Sequence, residues 1–254
     1  MDPLIDVQQV IMRYRTKGGP VHALADVTLQ VGRGEFVSVV GPSGCGKSTL
    51  LKIIAGLLLP SAGQVRVDGV RVSGPHPGVG VVFQSPVLLA WRTILENILL
   101  QIEVRHLSKA QYRKRALDLI ALVGIQGFED KLPYQLSGGM QQRAAICRAL
   151  IHDPPLLLMD EPFGALDALT RDRMDLELQR IWLESGKTVL FITHSIPEAI
   201  LLSDTIVVMS ARPGRVQELV QVTFPRPRDL KSLARPEAVE AIERIRAIMG
   251  TVPD

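Results

Sequence analysis

The chain contains the stretch Gly41-Pro-Ser-Gly-Cys-Gly-Lys-Ser48, which matches the pattern of a glycine, four residues of any type, and then Gly-Lys-Ser or Gly-Lys-Thr. Glycines let such a backbone curl until consecutive amides point inward at an anion, and the helix that follows adds the positive end of its dipole. Lys47 is placed to reach the β- and γ-phosphates of a nucleotide, and the hydroxyl of Ser48 is placed for Mg²⁺. Residues 41–48, the phosphate loop, therefore predict a nucleotide site.

The flanking residues supply the strand and the helix that a phosphate loop requires. Residues 35–40 are nearly all apolar and bounded by glycine, as in a buried central strand, and residues 48–59 have helical periodicity. Residues 64–72 alternate around Asp68-Gly69, which predicts a hairpin. The other strands predicted in this half of the chain cover residues 6–15, 23–31 and 79–83.

Helical periods dominate from about Ser85 to His152, and strands and helices alternate after that. Pro225-Arg-Pro-Arg228 is predicted to end the ordered core, and residues 233–249 to form an exposed amphipathic helix rather than a regulatory tail. This order of elements predicts an α/β protein with a helical insertion. In this second half we predict helices at residues 93–104, 109–124, 140–152, 170–185 and 197–202, and strands at 156–159, 188–193 and 205–210.

Composition excludes several classes of protein. The chain has 254 residues, of which 46% are apolar and 22% charged, so it can bury a sizeable core and is neither a disordered tail nor a collagenous repeat. The net charge of +3 comes from scattered Lys and Arg residues and does not indicate a nucleic-acid partner. Two cysteines, Cys45 and Cys147, cannot form a disulfide framework, which favours a reducing compartment.

The sequence also predicts that this chain does not itself cross a membrane. The best candidate span, residues 50–59, carries Lys52 and stops at Pro60, whereas a spanning helix needs roughly 18 apolar residues in a row. The first residues, Met1-Asp-Pro-Leu-Ile-Asp, lack the basic stretch and the apolar run expected of a secretory signal. If the protein acts at a membrane, we therefore expect another chain to provide the membrane-spanning part.

An apolar strand predicted at residues 156–159 delivers two carboxylates at its end. Asp160 suits the ligand shell of Mg²⁺, and Glu161 could polarise a water molecule for attack on a γ-phosphate. An Asp-Glu pair alone is also common at solvated strand ends. Its position downstream of a phosphate loop is what favours the catalytic interpretation.

The stretch Leu136-Ser-Gly-Gly-Met-Gln-Gln-Arg143 lies at the predicted start of a helix. Ser137 can cap this helix, and Gly138 and Gly139 leave its first amides bare, which makes a second candidate anion site. From the residues alone, an ordinary capped helix is the favoured interpretation. A second anion site is hard to explain in a chain with one phosphate loop.

Together these motifs resemble the ATP-binding cassette (ABC) superfamily. The phosphate loop, the stretch at residues 136–143 (the signature) and the acidic strand end occur in the family's order and spacing. Gln84 resembles the family's glutamine-loop residue, Ala165-Leu166-Asp167 its aspartate loop, and His194 its switch histidine. Tyr14 lies where the family stacks an aromatic ring on adenine, although a lone tyrosine at this place is also compatible with a core position.

The resemblance implies a fold and an activity. The implied fold is an α/β P-loop NTPase (RecA-like) core with an antiparallel β subdomain and an inserted α-helical subdomain, in a single ATPase domain over residues 1–254. Two copies dimerise head to tail, and ATP with Mg²⁺ lies between the phosphate loop of one copy and the signature of the other. The implied parts are residues 1–84 and 156–224 for the nucleotide-binding core with its β subdomain, 85–155 for the helical signature subdomain and 225–254 for a C-terminal tail helix.

The family's roles carry over to the matching positions of this sequence. Glu161 is the implied catalytic base, His194 the residue that contacts the γ-phosphate, and Gln84 the residue that senses it. Asp167 is implied to line the seam between the two copies. The implied Mg²⁺ ligands are Ser48, Gln84 and Asp160. The implied ATP-binding residues are Tyr14, Gly41, Pro42, Ser43, Gly44, Cys45, Gly46, Lys47, Ser48, Thr49, Ser137, Gly138, Gly139 and Gln141.

Four local stretches resemble one subgroup of the family, the ATPases of nitrate, sulfonate and taurine importers. The resemblance implies uptake of a small organic anion or related nutrient, with a pyrimidine-type vitamin precursor as the alternative. It implies a transmembrane permease and, indirectly, a substrate-binding protein as partners, and a peripheral position at the cytoplasmic face of the inner membrane. Ala90 and Ser195 depart from the subgroup's pattern, and Arg212 and Arg215 could equally be solvated charges of a turn. The four stretches are residues 91–98, 162–171, 193–199 and 210–216.

Rival functions need features that this sequence does not have. A cassette ATPase of chromosome maintenance needs long coiled-coil insertions, a translation-linked cassette protein usually carries two cassettes, and an exporter half is normally fused to membrane helices.

Residues 85–92 are unusually apolar for a loop. They predict a docking groove for a short helix of the membrane subunit, or else Leu88, Leu89 and Trp91 fill the core of the helical subdomain, and both can hold for different side chains.

Overall fold

A computed structural model of the chain describes residues 2–164 and 166–250. Its strands are Ile5–Thr16 (β1), Gly19–Val31 (β2), Phe36–Val40 (β3), Ala62–Val67 (β4), Val70–Arg71 (β5), Val79–Val82 (β6), Leu156–Asp160 (β7), Thr188–Ile192 (β8), Thr205–Met209 (β9) and Val216–Gln221 (β10). Its α-helices are Lys47–Ile54 (α1), Ile94–Ile98 (α2), Leu100–Val104 (α3), Lys109–Leu122 (α4), Gly138–Leu150 (α5), Ala168–Ser185 (α6), Ile196–Leu202 (α7) and Pro236–Gly250 (α8). Short 3₁₀ turns cover Pro133–Gln135 and Leu230–Ala234.

Six strands form the central sheet in the order β10-β9-β3-β8-β7-β6. All neighbours in it run parallel except β10, which is antiparallel to β9. Every residue of β3, β7, β8 and β9 is buried, which is why these segments are apolar except for one residue each rather than alternating. The carboxyl ends of parallel strands meet at one edge, so the chain that follows β3, β7 and β8 comes together there.

A second, antiparallel sheet has the order β2-β1-β4-β5. The hairpin predicted around Asp68-Gly69 is confirmed as the turn between β4 and β5. The apolar face of this sheet, with Ile5, Val7 and Leu24 fully buried, shares one hydrophobic cluster with α1 and with one face of the central sheet. The small sheet is therefore fixed directly beside the phosphate loop.

The helical insertion packs on the other face of the central sheet. Ile98, Ile102 and Ile120 from α2, α3 and α4 are fully buried in one cluster with α5 and with Phe36 of β3. The helix predicted at residues 93–104 is two helices, because the chain breaks at Leu99. α2 begins with a capping box in which Thr93 and Glu96 exchange side-chain and backbone bonds.

The helix predicted at residues 48–59 ends earlier, at Ile54. Gly56 adopts a φ of +73°, its N–H donates to the carbonyl of Ile53, and the N–H of Leu57 donates to the carbonyl of Lys52. This is the Schellman arrangement, in which a left-handed glycine satisfies the last carbonyls of a helix. Leu57 and Leu59 are consequently exposed and contribute nothing to the core.

The prediction that the ordered core ends at Pro225-Arg-Pro-Arg228 is wrong. The Arg228 guanidinium is 3% exposed and donates to the carbonyls of Ile200, Ser203, Val222 and Phe224. A charge can be buried here because the carbonyls provide hydrogen-bond acceptors for it. The ordered core therefore continues past the two prolines. The C-terminal helix α8 then packs Ala238 and Ile245 against a third cluster with β9 and α7, so its inner face is buried and its outer face exposed.

Within residues 2–164 and 166–250, no helix is both long and apolar enough to cross a membrane.

Candidate functional site

The phosphate loop follows β3 and lies against β2. Gly44 and Gly46 adopt φ values of +73° and +109°, which are left-handed conformations that favour glycine. A Cβ atom at Gly46 would lie 2.7 Å from the carbonyl oxygen of Ala23 and from a methyl group of Leu24. The loop can approach β2 this closely only because residue 46 has no side chain.

Lys47 is buried within the loop. Its Nζ donates to the carbonyl oxygens of Gly41 at 2.7 Å and Pro42 at 3.0 Å, and lies 3.9 Å from Sγ of Cys45. Cys45 is itself 1% exposed. The loop therefore encloses a cation together with the first amides of α1, which is the arrangement that binds phosphate groups.

Ser48 and Asp160 join the phosphate loop to the end of β7. The Ser48 hydroxyl donates to Oδ1 of Asp160 at 2.9 Å. Burial raises the pKa of Asp160 above its ordinary value, and the neighbouring Glu161 charge raises it further, whereas the Ser48 hydrogen bond lowers it. A hydroxyl and a buried carboxylate held together are the hard oxygen ligands that Mg²⁺ prefers, and a bound dication would favour the ionised carboxylate.

Glu161 brings together two other predicted residues. Its Oε2 lies 3.1 Å from Nδ1 of His194 and accepts from Nε2 of Gln84 at 3.3 Å. Glu161 adopts a φ of +45°, which turns the chain at the end of β7, and its N–H donates to the carbonyl of Ile192 on β8. The structure therefore groups residues from the ends of three strands around one partly exposed carboxylate.

These groups line one cavity of about 440 Å³. Tyr14 lies at its side with its hydroxyl 3.2 Å from Oγ1 of Thr49, while the ring packs partly against the core. Its position is compatible both with stacking on a ligand and with the core interpretation. The lining residues are Tyr14, Val21, Ala23, Ser43, Gly44, Gly46, Lys47, Ser48, Thr49, Gln84, Glu161, His194 and Arg212.

The signature lies apart from this cavity at the start of α5. Ser137 caps α5 by accepting from the N–H of Met140 at 3.3 Å, and Ser137 and Gly138 are exposed. Gln141 donates to the carbonyls of Pro133 and Leu136, which holds the chain that enters the helix. None of the signature residues lines the cavity of the phosphate loop, so within one copy the two anion sites do not meet.

The aspartate loop leads into α6. Asp167 caps α6 by accepting from the N–H of Thr170 at 3.0 Å, whereas Ala165 lies outside the described residues. Leu166 is buried, and a Cβ atom at Gly139 would lie 2.7 Å from one of its methyl groups. The aspartate loop therefore packs directly on the start of α5.

Sequence reasoning missed the position of Arg212. It lies in the turn between β9 and β10, and its Nε and Nη2 both donate to the carbonyl oxygen of Gly44, at 3.1 Å and 3.0 Å. Arg212 is exposed, as a solvated turn charge would be, but it is also bonded to the phosphate loop. The only available signal was the resemblance of residues 210–216 to the subgroup, because nothing local indicates a contact across 168 positions.

A buried pair of carboxyl groups behind His194 was also missed. Asp175 on α6 and Glu198 on α7 are 4% and 6% exposed. Burial, together with the charge of Glu198, raises the pKa of Asp175 to about 9. Glu198 accepts from the hydroxyl of Thr193, and that hydroxyl accepts from the N–H of Ser195. The pair thus supports the residues on both sides of His194.

Replacing Asp175 by asparagine is expected to stabilise the protein at alkaline pH. Because the pKa of Asp175 is higher in the folded than in the unfolded protein, its contribution to stability is fully present below about pH 4 and is lost as the pH rises towards 9. We expect the free energy of unfolding of Asp175→Asn to exceed that of the wild type by about 2 kcal/mol at pH 8 and to approach it near pH 4. Urea denaturation across this range measures the difference.

Asp118→Asn is the matched control, because Asp118 is an exposed aspartate of a different helix, α4. If both variants changed stability equally, or if Asp175→Asn were less stable at pH 8, the buried pair would not hold a proton.

Comparison with known proteins gives consistent matches. Residues 24–164 match the family model described as ABC transporter. The chain is 47% identical over 250 residues to an uncharacterized ABC transporter ATP-binding protein of Methanocaldococcus jannaschii, covering 98% of this chain and 91% of the relative. It is 50% identical over 202 residues to a taurine import ATP-binding protein of Yersinia pestis, covering 80% and 79%.

Solved structures give the same result. A dimeric structure of a bacterial ABC transporter cassette superposes with a TM-score of 0.80 at 35% identity, covering 87% of this chain and all of that one. A dimeric post-hydrolysis state bound to ADP and Pi gives a TM-score of 0.79 at 34% identity, with the same coverage.

Proposed function

The chain belongs to the ABC transporter family, and we propose that it hydrolyses ATP to energise uptake of a small organic anion of the nitrate, aliphatic sulfonate or taurine type. The observation that carries the proposal is the position of Glu161, whose carboxylate contacts both Gln84 and His194 beside the phosphate loop. This arrangement supports the proposal, because a carboxylate that could act as a base, an amide and an imidazole lie together beside the loop that would hold the terminal phosphate of ATP. Relatives with 44–50% identity are taurine import ATP-binding proteins, which favours an aminosulfonate, with a pyrimidine-type vitamin precursor as the alternative.

The phosphate loop would hold ATP through its amides and the ammonium group of Lys47. The buried Lys47 already lies among carbonyls of the loop, so it can move to phosphate oxygens without crossing solvent. Tyr14 would stack on adenine from the side of the small sheet, next to Thr49. The residues proposed to contact ATP in this way are Tyr14 and Gly41, Pro42, Ser43, Gly44, Cys45, Gly46, Lys47, Ser48 and Thr49.

Ser48, Gln84 and Asp160 would hold Mg²⁺. All three carry oxygen atoms at the same edge of the central sheet, and Ser48 and Asp160 are already 2.9 Å apart. When bound, Mg²⁺ neutralises charge on the phosphates. Among the described residues, no group of three or more His, Cys, Asp or Glu side chains could hold a metal, so a cation here needs the hydroxyl, the amide and the substrate as well.

Glu161 is the proposed base, and it would take a proton from the attacking water. His194 would contact the γ-phosphate and keep the carboxylate oriented through the bond at Nδ1. Thr193 and Ser195, which flank His194, are bonded to each other, and Thr193 is also bonded to the buried Glu198, so the imidazole is presented from a fixed turn.

The signature would act on the ATP of a second copy. Its residues Ser137, Gly138, Gly139 and Gln141, of which the first two are exposed and the other two partly exposed, lie outside the cavity of their own copy, at the positive end of a helix of 13 residues. Two identical chains arranged head to tail would bring each signature to the partner's phosphate loop. The dimeric structures of related cassettes support this arrangement.

The groove between α1 and the helical insertion is the proposed docking site of a transmembrane permease. A cavity of about 460 Å³ lies there, and Val87 in its lining is 61% exposed. Trp91, four residues further along the chain, is 75% exposed. Leu88 instead packs against the core of the helical insertion, which supports the core interpretation for this side chain and leaves Val87 and Trp91 for the proposed docking.

α5 links this groove to the nucleotide site. Gln142 donates to the carbonyl of Phe83, next to Gln84, and Arg148 donates to the carbonyls of Pro86 and Val87. Closure of two copies on ATP through the signature would therefore pull Gln84 and the groove together. ATP would drive the permease through this coupling. In this scheme residues 85–155 move as one helical unit relative to the nucleotide-binding core, which comprises residues 1–84 and 156–224, and residues 225–254 form the tail.

A pull-down from native membranes in mild detergent tests the importer proposal. We expect the tagged chain to recover a multi-span membrane protein at stoichiometric yield, placing it at the cytoplasmic face of the membrane, with a substrate-binding protein identified through that complex. Val87→Glu should lose the membrane partner while keeping ATPase activity. Val70→Glu is the matched control, since Val70 is equally exposed but lies on β5, away from the groove. Recovery with DNA or ribosomes instead would contradict transport.

A further inference from the structure

The turn between β9 and β10, residues 210–215, is wedged between β2 and the phosphate loop. The N–H of Gly214 donates to the carbonyl of Ala23, and the carbonyl of Gly214 accepts from the N–H of Ala25, both at 3.0 Å. A Cβ atom at Gly214 would lie 2.1 Å from the carbonyl oxygen of Cys45. The turn therefore touches the loop so closely that only glycine fits.

From this turn the Arg212 side chain reaches the tip of the loop. Two nitrogens of its guanidinium donate to one acceptor, the carbonyl oxygen of Gly44, at 3.1 Å and 3.0 Å. A Cβ atom at Gly44 would lie 3.1 Å from Nη2 of Arg212, so the guanidinium packs tightly on the backbone of this glycine. Hydrogen bonds from a charged donor are the stronger kind.

This contact determines which way one amide of the loop points. In a trans peptide the carbonyl and the following N–H point in opposite directions. With the Gly44 carbonyl held towards Arg212, the N–H of Cys45 turns to the interior of the loop, where it donates to the carbonyl of Pro42 at 3.3 Å. Nζ of Lys47 donates to the same carbonyl oxygen of Pro42, at 3.0 Å. The interior is the side on which such loops bind phosphate.

We propose that Arg212 is a positioning residue of the nucleotide site, which holds the Gly44 carbonyl outward so that the Cys45 amide is presented to the phosphate groups of the nucleotide. The proposal rests on ATP binding at the phosphate loop as described above. Arg212 and Lys47 both line the cavity, so Arg212 adds a second cation to it.

The contact is not needed to hold the turn itself. The turn is closed by the bond from the N–H of Ser210 to the carbonyl of Arg215 and by Oγ of Ser210, which accepts from the N–H of Arg215 and donates to the carbonyls of Ala211 and Pro213. The Gly214 bonds to β2 remain without Arg212. Loss of the guanidinium should therefore disturb the loop and leave the fold intact.

The test compares Arg212→Met with Arg215→Met, which removes the same charge from the same exposed turn without touching Gly44. Titration calorimetry with ATP and ADP, and competition by adenosine, report on phosphate contacts separately from base contacts. We expect Arg212→Met to weaken ATP and ADP binding about tenfold, with adenosine unchanged. The KM for ATP should rise by a similar factor while kcat at saturation stays near wild type. Arg212→Lys, which keeps a cationic donor, should recover most of the affinity.

Unchanged ATP affinity in Arg212→Met would overturn the proposal. Equal losses in Arg215→Met would also overturn it, because they would indicate a general effect of charge. A loss that includes adenosine would indicate collapse of the whole site rather than misdirection of one amide. If Arg212→Met did not fold, Arg212→Gln and Arg215→Gln would be compared in its place, with weaker ATP and ADP binding expected for Arg212→Gln alone. Failure of the wild type to hydrolyse ATP would contradict the proposed function alone, since the binding comparison still judges Arg212.

Discussion

The Glu161→Gln variant is expected to bind ATP with near wild-type affinity and to lose hydrolysis by about a hundredfold to ten-thousandfold in kcat, the usual contribution of a general base. The amide has the shape of the carboxylate, so contacts with His194 and Gln84 can persist. In the proposed binding mode the loop and Lys47 hold the phosphates, and the substitution does not touch them. Only the ability to take a proton from water is removed.

Single-turnover hydrolysis and equilibrium ATP binding measure the two effects separately. Glu237→Gln on the exposed side of α8 is the matched control and should behave as wild type. A Glu161→Gln variant with near-normal turnover would exclude Glu161 as the base. Loss of ATP binding together with turnover would instead indicate that the carboxylate organises the loop.

The fold class and most elements could be predicted from the sequence because their signals are local. The buried strands β3, β7 and β8 are short apolar runs, and the left-handed glycines of the phosphate loop follow a fixed spacing. The edge at which Asp160, Glu161 and His194 meet follows from parallel pairing, since every such strand delivers its carboxyl end to the same side.

Contacts between distant segments could not be predicted in the same way. Arg212 reaches Gly44 across 168 positions, and nothing near Arg212 in the sequence distinguishes it from the exposed Arg215. Arg228 follows two prolines that indicate the end of a domain, yet its buried guanidinium is paired with four backbone carbonyls. A charged residue is predicted to lie at the surface unless its partners are known. The partners here are backbone carbonyls, and because every residue has one, the sequence does not mark them.

Helix ends and breaks depend on backbone groups in a similar way. The left-handed Gly56 ends α1, while apolar periodicity continues through Leu57 and Leu59. The break at Leu99 separates α2 from α3 within a continuous helical pattern. Periodicity reports which residues can face a core, whereas the position of an end also depends on which carbonyls find other donors.

Ser137→Arg is expected to abolish ATP-driven dimerisation and to reduce steady-state ATPase activity to background, while each copy still binds ATP at its phosphate loop. Ser137 is exposed at the start of α5, and the bare amides beside it at Gly138 and Gly139 are the proposed contact for the partner's phosphates. A long side chain at this position occupies the space that the nucleotide needs, and it also removes the cap, which costs about 1 kcal/mol of helix stability.

Size-exclusion chromatography with ATP in the Glu161→Gln background measures dimerisation, because ATP persists there. We expect a dimer for Glu161→Gln and a monomer when Ser137→Arg is added. Ser137→Ala removes the cap without obstructing the space for the nucleotide, and it should still dimerise. Ser108→Arg is the second control, because it places the same side chain at the exposed start of another helix, α4. If Ser137→Arg still dimerised on ATP and hydrolysed it, the signature would not act across the interface. The exposed start of α5 would then be an ordinary capped helix, the interpretation that the residues alone left open.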